Sequence, residues 1–436
     1  MISIVWLRRD LRLEDNAALY HALKSQYPVL PIFIFDTEIL SKLDNRKDAR
    51  VGFIFREILN LKKQLNDMGS DLRVYHGTPL DVWKNIVKNY NVKCVFTNRD
   101  YESYAIIRDK NIQNFLQSKG IQFNTHKDHV IFEVDEVLKS DGDPYVVFTP
   151  YKRTWLEKLN SRGQGPDSFY FKSYSTEKYF NHFYKTEREE MISLEEMGFE
   201  RSEISIPSKD VSRKLIKEYH KNRDYPAVAG TSKLGVHFRF GTISIREKAR
   251  KAFDLNETYL SELIWRDFYS SILQAFPRVE NESFRQKYDG IEWRNNEEEF
   301  GKWCAGETGY PIVDAGMREL NTTGYMHNRV RMITASFLTK HLLIDWRWGE
   351  AYFAEKLLDY DLASNNGGWQ WAAGCGTDAA PYFRIFNPTT QAEKFDKNKK
   401  YIREYIPEYG SEKYTGPMVD HKEARERCLS TYKKAL

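Results

Sequence analysis

The stretch ISIVWL at residues 2–7 is a short run that is apolar apart from Ser3, and VLPIFIF at residues 29–35 repeats the pattern. Two shorter runs follow at Leu72–Tyr75 and Cys94–Thr97. Between the second and third runs, the apolar residues from Asp48 to Met68 recur at helical spacing. Continuous apolar runs that alternate with helices are typical of strands buried on both faces of a parallel sheet. We therefore predict a doubly wound, Rossmann-like α/β domain over residues 1–130.

The rest of the chain divides differently. Its 436 residues are enough for two or three domains at about 150 residues each. Residues 131–207 are rich in Ser, Tyr and Glu and are predicted to form an interdomain connection. After Pro207 the strand pattern ends and helical patterns dominate, so residues 208–436 are predicted to form an all-α domain.

Composition excludes several classes of protein. Lys and Arg exceed Asp and Glu by only four, and no apolar run approaches the ~18 residues that span a bilayer. The first apolar run precedes Arg8 and Arg9, the reverse of a signal peptide, so a cytoplasmic location is expected. The four cysteines are too widely spaced for a zinc ribbon or disulfide scaffold, and no metal site is predicted. Dinucleotide fingerprints, P-loops, HExxH and GxSxG motifs are also absent.

Aromatic and polar residues concentrate in one part of the chain. Seven of the ten tryptophans lie between Trp265 and Trp371. One predicted helix places Glu262, Trp265, Arg266 and Tyr269 on one face, a pattern that an amphipathic helix with an ion pair also explains. The segment 359–391, DYDLASNNGGWQWAAGCGTDAAPYFRIFNPTTQ, mixes glycines, amides, indoles and acids in a way that packing alone does not require. Gly367 and Gly368 would let the backbone approach a flat ligand closely, so a planar cofactor with aromatic neighbours fits this mixture.

Two segments could contact phosphate. Gly230–Gly235 resembles a phosphate-binding loop loosely, although a Ser or Thr helix cap is the commoner use of such residues. From Lys217 to Lys251 there are nine basic and three acidic residues. This local charge fits either a solvated helix face or contact with a nucleic-acid backbone.

The sequence resembles the photolyase/cryptochrome flavoprotein family over nearly its whole length, and within it the class I cyclobutane pyrimidine dimer photolyases. The resemblance rests on long motifs in the right order: WLRRDLRLEDN (6–16), RDYPAVAGTSKLG (223–235), ELIWRDFY (262–269), TGYPIVDAGMREL (308–320), MHNRVRM (326–332), LLIDW (342–346), DYDLASNNGGWQW (359–371) and HKEAR (421–425).

The resemblance implies FAD in the helical domain, with Asn365 facing the reactive flavin nitrogen and Arg331 paired with Asp359. The residues that match the FAD-binding positions are Tyr219, Thr231, Ser232, Lys233, Leu234, Gly235, Tyr259, Arg331, Asp359, Tyr360, Asp361 and Asn365.

It also implies a pocket for a flipped-out pyrimidine dimer, with Glu262 hydrogen-bonding the dimer. Five residues match the pocket, namely Glu262, Trp265, Asn328, Met332 and Trp371, while Arg223, Arg329 and Gln391 match DNA contacts. Trp369, Trp346 and Trp293 match the chain of indoles that passes electrons to a photoexcited flavin, although core packing would also use them.

The implied activity is light-driven repair of cyclobutane dimers in DNA by electron transfer from reduced FAD, by a monomer with no obligate protein partner. The alternative is a cryptochrome-type blue-light photoreceptor, which usually carries Asp or Cys where this chain has Asn365. Six-four photolyases carry His where Asn328 stands, so that substrate is disfavoured.

A second, light-harvesting chromophore stays open. Folate-binding members have an Asn-Glu pair shortly after a Tyr-Glu, but here Tyr101 and Glu102 are followed by Ser103, Tyr104 and Ala105. Folate is therefore disfavoured, and a deazaflavin, an FMN, a folate held differently or no chromophore remain as alternatives.

Overall fold

The computed structural model describes residues 1–436, which divide into two compact units that are not continuous in sequence. The first unit comprises residues 1–133, 157–209 and 234–254, and the second comprises 134–156, 210–233 and 255–436. Two breaks between the units, after residues 133 and 209, lie close to the boundaries predicted at residues 130 and 207. The segment between them is shared by both units, and residues 234–254 belong to the first.

The first unit contains a five-stranded parallel sheet, as predicted. Its strands are β1 (Ile2–Leu7), β2 (Val29–Asp36), β3 (Arg73–Gly77), β4 (Val92–Asn98) and β5 (Gln122–His126), in the order β3-β2-β1-β4-β5. The sequence analysis missed β5 because this edge strand has the polar sequence QFNTH, whose residues are all at least partly exposed. A strand at an edge is not buried on both sides, so the apolar run that identified the central strands is missing there.

Five helices connect and cover these strands. They are α1 (Ala17–Leu23), α2 (Thr37–Leu40), α3 (Ala49–Asp67), α4 (Pro79–Asn89) and α5 (Ser103–Ser118). The predicted helix between β2 and β3 is α3, capped by the Asp48 carboxylate, which accepts a hydrogen bond from the Arg50 amide at 2.8 Å.

The charged N-terminal motif after β1 is held inside the first unit by buried ion pairs. The Arg12 guanidinium donates to Asp128 at 2.7 Å, and Arg246 donates to the other oxygen of that carboxylate, also at 2.7 Å. Arg246 also donates to Asp15 at 3.0 Å. Buried charges persist in a protein when paired and hydrogen-bonded in this way. The motif therefore has a structural role in this unit.

The remaining helices confirm the predicted α-rich second part of the chain. They are α6 (Phe148–Asn160), α7 (Arg213–Lys217), α8 (Tyr219–Asn222), α9 (Gly235–Arg239), α10 (Ile245–Leu255), α11 (Glu257–Ala275), α12 (Glu297–Ala305), α13 (Pro311–Thr323), α14 (Asn328–Ser336), α15 (Trp346–Lys356), α16 (Leu362–Ala373), α17 (Pro388–Phe395), α18 (Lys400–Tyr405) and α19 (His421–Ala435). Shorter 3₁₀ turns and a π-helical turn at Phe337–His341 link them. No helix is both long and apolar enough to cross a membrane.

Aromatic side chains dominate the core of the second unit. Trp303, Trp346 and Trp369 are almost completely buried and belong to one hydrophobic cluster with Phe353 and Leu338. Burying large aromatic groups contributes strongly to stability and fixes the helices that carry them. Helices α14, α15 and α16 are anchored through this core, and α11 packs against α16. The remaining faces of these helices form the site described next.

Candidate functional site

A cavity of about 430 Å³ lies in the second unit, and three helices supply most of its wall. Each helix contributes residues spaced by about one turn, so that one face of each is directed at the cavity. The lining comprises Glu262, Trp265, Arg266 and Tyr269 from α11; Asn328, Arg331, Met332 and Ala335 from α14; Ser364, Asn365, Gly368, Trp369 and Trp371 from α16; and Arg223, Phe353, Leu357, Asp359, Tyr360 and Asp361 from neighbouring segments.

Helix α11 begins at a side-chain cap and carries Trp265, whose indole ring is covered on one face by another aromatic ring. The Asn256 carbonyl oxygen accepts a hydrogen bond from the Tyr259 amide at 3.1 Å, which fixes the start of the helix. Two turns later, the Trp265 ring stacks on Phe148 with centroids 3.7 Å apart and planes 7° apart. The indole is therefore held rigidly, with its other side available at the cavity.

The Glu262 carboxylate is paired inside the cavity wall. Arg223 Nη1 lies 2.5 Å from Glu262 Oε1, and both side chains are less than one-third exposed. Burial raises the pKa of the Glu262 carboxyl, and Arg223 opposes that rise. The carboxyl and the guanidinium, predicted separately as a dimer contact and a phosphate contact, form one ion pair here.

Helix α14 supplies a polar and an apolar group on the same stripe. The His327 ring nitrogen Nδ1 accepts from the Arg329 amide at 3.2 Å, which caps the helix. Arg331 Nη2 donates to both oxygens of Asp359, at 3.1 and 2.9 Å, as the resemblance predicts. Arg331 Nε donates to the Met326 carbonyl at 2.7 Å, so the guanidinium is fixed from two sides.

Helix α16 carries the amide and glycine residues of the DYDLASNNGG segment. It begins at Asp361, whose carboxylate accepts from the Ser364 amide at 3.1 Å. Gly368 lines the cavity, and a Cβ added there would meet no protein atom within 4 Å. Gly367 has a different role from the one predicted, because its added Cβ would lie 2.3 Å from the Tyr269 ring. Gly367 thus permits helix packing, and Gly368 alone leaves room for a ligand.

Two tryptophans of the predicted electron-transfer chain, Trp369 and Trp293, make ring contacts with other aromatic residues. Trp369 lines the cavity and makes ring contacts with Phe353 at 4.9 Å and with Trp303 at 6.0 Å. Trp346 is buried, as predicted, and Trp293 is partly exposed with its ring 6.0 Å from Tyr432. The electron-transfer role of Trp369, Trp346 and Trp293 stays a prediction.

The loop of residues 231–235, predicted to bind the cofactor, makes hydroxyl hydrogen bonds with residues that do not line the cavity. Tyr259 donates to Ser232 Oγ at 3.1 Å, and its ring meets Tyr219 edge-on at 5.0 Å. The Thr231 hydroxyl lies 3.1 Å from that of Tyr325, over whose ring Lys233 Nζ sits at 4.6 Å. Leu234 and Gly235 belong to the first unit, where Gly235 begins α9.

A second cavity of about 360 Å³ shares Met332 and Trp371 with the first. Predicted DNA contacts Arg329 and Gln391 line it, together with Arg384, Lys394, Phe386, Phe395, Asp224 and Tyr225. Arg329 donates to Asp224 at 2.7 Å, and its guanidinium lies 4.4 Å from the Phe395 ring centroid. Basic side chains interleaved with aromatic rings are typical of surfaces that bind single nucleic-acid strands. We call this surface the basic groove.

Comparison with protein families identifies both parts of the chain. The family model for DNA photolyase matches residues 3–168, and the model for the FAD-binding domain of DNA photolyase matches residues 259–412. The chain belongs to the DNA photolyase family. It is accordingly an enzyme of the photolyase type, and its cofactor is FAD.

Individual relatives support the same assignment. The chain is 37% identical to the deoxyribodipyrimidine photo-lyase of Alkalihalophilus pseudofirmus, over 99% of this chain and 98% of the relative. It is 36% identical to that of Escherichia coli, over 99% and 98%. Among solved structures, a class III photolyase from Agrobacterium tumefaciens superposes with a TM-score of 0.85 at 31% identity, over 100% of this chain and 97% of that one. An archaeal photolyase from Sulfolobus tokodaii with two FAD molecules gives 0.79 at 34%, over the full length of both.

The cavity fits the FAD that the family binds. Gly368 leaves space beside apolar side chains of Trp369, Phe353 and Leu357, while the Arg331–Asp359 pair adds one cation and one anion to the lining. A flat aromatic ligand with a polar edge needs this combination of an open backbone position, apolar faces and a few fixed polar groups.

Most residues that line the cavity of this photolyase were predicted from the sequence, and a few were not. Twelve predicted residues line it, which are Arg223, Glu262, Trp265, Asn328, Arg331, Met332, Asp359, Tyr360, Asp361, Asn365, Trp369 and Trp371. Phe353 and Leu357 were missed because isolated apolar residues on a helix look like ordinary core. Arg384 and Lys394 were also missed, although the FRIFNP and NPTTQAEKF stretches place them near the predicted Gln391.

The positions that replace the folate-binding pair are already engaged within the first unit of this photolyase. The Tyr104 hydroxyl donates to Asp36 Oδ2 at 2.6 Å, and Ala105 is buried. Neither side chain can supply the amide and carboxylate of the missing pair. The absence of folate stays a prediction.

Proposed function

We propose that this protein repairs cyclobutane pyrimidine dimers in DNA by light-driven electron transfer from reduced FAD to a dimer flipped into the cavity. The observation that carries the proposal is that one cavity is lined both by residues proposed to hold FAD and by residues proposed to bind the dimer. Asn365, Arg331 and Asp359 line it together with Trp265, Glu262 and other groups suited to a damaged base pair. Donor and substrate would then share one water-poor space.

On the cofactor side, Tyr219, Tyr259 and the Thr231–Gly235 loop are the residues proposed to hold the rest of FAD, with Asp359–Asp361 and Asn365 around its ring. When bound, reduced FAD supplies the light-excited electron that splits the two carbon–carbon bonds joining the pyrimidines, and it regains that electron afterwards. The Arg331–Asp359 pair keeps one cation and one anion at fixed positions without a net local charge.

On the substrate side, Trp265 and Trp371 offer apolar surfaces to the dimer. Stacking of a base on an aromatic side chain is worth roughly 1–3 kcal/mol, and a crosslinked pair stacks poorly in the duplex, which lowers the free energy of extrusion. The partly buried Glu262 carboxyl, whose pKa is raised, would hydrogen-bond the polar edge of the dimer. Asn328 and Met332 complete this side of the wall.

The basic groove would hold the DNA backbone beside the cavity. Arg329, Arg384 and Lys394 supply positive charge within one surface that shares Met332 and Trp371 with the cavity. Phosphate contacts of this kind position DNA without reading its sequence. The proposal assigns both cavities to one chain acting as a monomer.

The deciding experiment compares light with darkness. The chemically reduced, FAD-loaded protein is mixed with one oligonucleotide carrying a thymine cyclobutane dimer and another carrying a six-four photoproduct. We expect loss of the cyclobutane dimer under blue or near-ultraviolet light only, with the six-four product unchanged. Equal survival of the cyclobutane dimer in light and darkness would reject the repair function and favour a photoreceptor.

A further inference from the structure

Helix α6 packs against α11 on the side away from the cavity, although its sequence lies in the segment predicted as an interdomain connection. Its aromatic residues Phe148, Tyr151 and Trp155 follow i, i+3 and i+7 spacing and therefore share one face. The Trp155 indole N–H donates to Asp267 Oδ2 at 3.0 Å, and both side chains are almost completely buried. The Tyr151 ring lies 5.2 Å from that of Phe268. These contacts fix α6 on α11.

Phe148 is the residue of α6 that touches a side chain of the cavity lining. Its ring covers one face of the Trp265 indole, with centroids 3.7 Å and planes 7° apart, and meets Phe268 edge-on at 5.8 Å. Phe148 is only 8% exposed and does not line the cavity, whereas Trp265 does. Any effect of the Phe148 ring on a ligand must therefore pass through Trp265.

The backbone around Phe148 is tied to the segment that follows α16. The Phe148 amide donates to Asp378 Oδ2 at 3.2 Å, and the buried Thr377 hydroxyl donates to the Val146 carbonyl at 2.6 Å. Asp378 has a φ of +45°, in the left-handed region that short polar side chains adopt more readily than most others. Helix α16 carries Trp371, so Phe148 is held between the helices that supply both indoles of the proposed dimer site.

A fixed indole binds a flat ligand more tightly than a mobile one. A tryptophan side chain can occupy several rotamers, and restricting it to one on binding lowers the affinity. A ring stacked parallel to one face of the indole restricts it before the ligand arrives. The opposite face is then already oriented for stacking.

We propose that Phe148 is a positioning residue that holds the Trp265 indole in the orientation that stacks on a flipped-out pyrimidine dimer, and so favours damaged over undamaged DNA. The inference rests on the proposed function for the stacking of the dimer on Trp265. Undamaged DNA places no base in the cavity and gains nothing from an oriented indole. The preference for dimers therefore depends on a residue that touches neither DNA nor cofactor.

Two variants separate the ring of Phe148 from its bulk. Phe148→Leu keeps an apolar side chain without a flat surface, and Phe148→Tyr keeps the ring. The measurement is the dissociation constant, in darkness, of the full-length FAD-loaded protein for an oligonucleotide with one thymine cyclobutane dimer and for the same oligonucleotide without it. We expect Phe148→Leu to weaken dimer binding about fivefold, the order of one side chain ordered on binding. Undamaged DNA should bind as to wild type, and Phe148→Tyr should bind both as wild type does.

The same Leu substitution in a Trp265→Ala background is the control. If Phe148 acts through the indole, it should cause no further loss of dimer affinity there. An unchanged affinity in Phe148→Leu alone, or a fivefold loss that persists without Trp265, would overturn the positioning role. So would a Phe148→Tyr protein of wild-type stability that binds dimers as weakly as Phe148→Leu. Thermal unfolding and FAD content show that each variant is folded, and Phe148→Met replaces Leu if the latter loses FAD.

The binding assay fails separately from the proposed function. A wild-type protein that prefers dimer-containing DNA while Phe148→Leu retains the full preference would reject only the positioning role. A wild-type protein that binds both oligonucleotides equally would reject the dimer site itself, whatever the variants do.

Discussion

Replacing Gly349 with Ala should displace the Trp369 indole. In the native structure the new Cβ would stand 2.1 Å from Cη2 and 2.4 Å from Cζ3 of that ring, and 2.6 Å from Leu338 Cδ2. Carbon atoms pack at about 3.5–4.0 Å, so the ring must move by roughly 1.5 Å within a closed core. Overpacking of this kind costs about 1–3 kcal/mol of unfolding free energy.

The control is Gly301→Ala, an exposed position inside α12 where an added Cβ meets nothing within 4 Å. Ala is favoured over Gly in a helix by about 1 kcal/mol, and both substitutions gain this amount. The difference between the two variants therefore isolates the clash. We expect Gly301→Ala to unfold at a slightly higher temperature than wild type, and Gly349→Ala at a lower one with reduced FAD content.

A third variant separates the cofactor from the fold. Gly368→Ala places a methyl group into the cavity from inside helix α16 without touching protein atoms, so the FAD-free protein should unfold at a slightly higher temperature, as Gly301→Ala does, while FAD content falls. The reasoning is refuted if Gly349→Ala matches Gly301→Ala in stability and binds FAD fully, because the core would then absorb the methyl group without moving Trp369.

Three other outcomes are expected. Trp265→Ala should weaken binding of dimer-containing DNA by ~1–3 kcal/mol in a filter-binding assay, with undamaged DNA as the control that should not change. Arg223→Ala should lower the salt dependence of undamaged-DNA binding by about one phosphate contact and also weaken dimer binding, since Glu262 loses its partner; an unaltered salt slope would contradict the phosphate role. Trp293→Phe should slow photoreduction of FAD without slowing repair by pre-reduced enzyme, and normal photoreduction would direct attention to Trp303, which touches Trp369.

The strands of the first unit were predictable where burial was complete. β1 and β2 are buried at every position, and their sequences are correspondingly apolar except for Ser3 and the final Asp36. β5 pairs with β4 through its backbone while its side chains stay polar and partly exposed, so nothing in its composition distinguishes it from a loop. Backbone hydrogen bonds between strands do not require a particular side chain, whereas burial of a strand requires apolar side chains.

The cavity was predictable to the extent that its residues share helices. Glu262, Trp265 and Tyr269 follow helical spacing on α11 and duly line one wall. Contacts between residues of different helices leave no regular spacing in the sequence. The placement of Gly367 against Tyr269 depends on how α16 crosses α11, and the sequence therefore suggested a ligand contact where the structure has a packing contact.

The same limit applies to the polar pairs that set the electrostatics of the site. Arg223 and Glu262 are 39 residues apart, and Glu350 and Asn365 are 15 apart on different helices. In each pair, a hydrogen bond joins two side chains that lie far apart in the sequence. Replacement of either partner therefore changes the other, and only variants made in pairs assign an effect to one residue. For Arg223, this means that a loss of dimer affinity is expected even though its proposed ligand is a phosphate. The partly buried Glu262 carboxyl left behind loses the guanidinium that holds it in place and lowers its pKa.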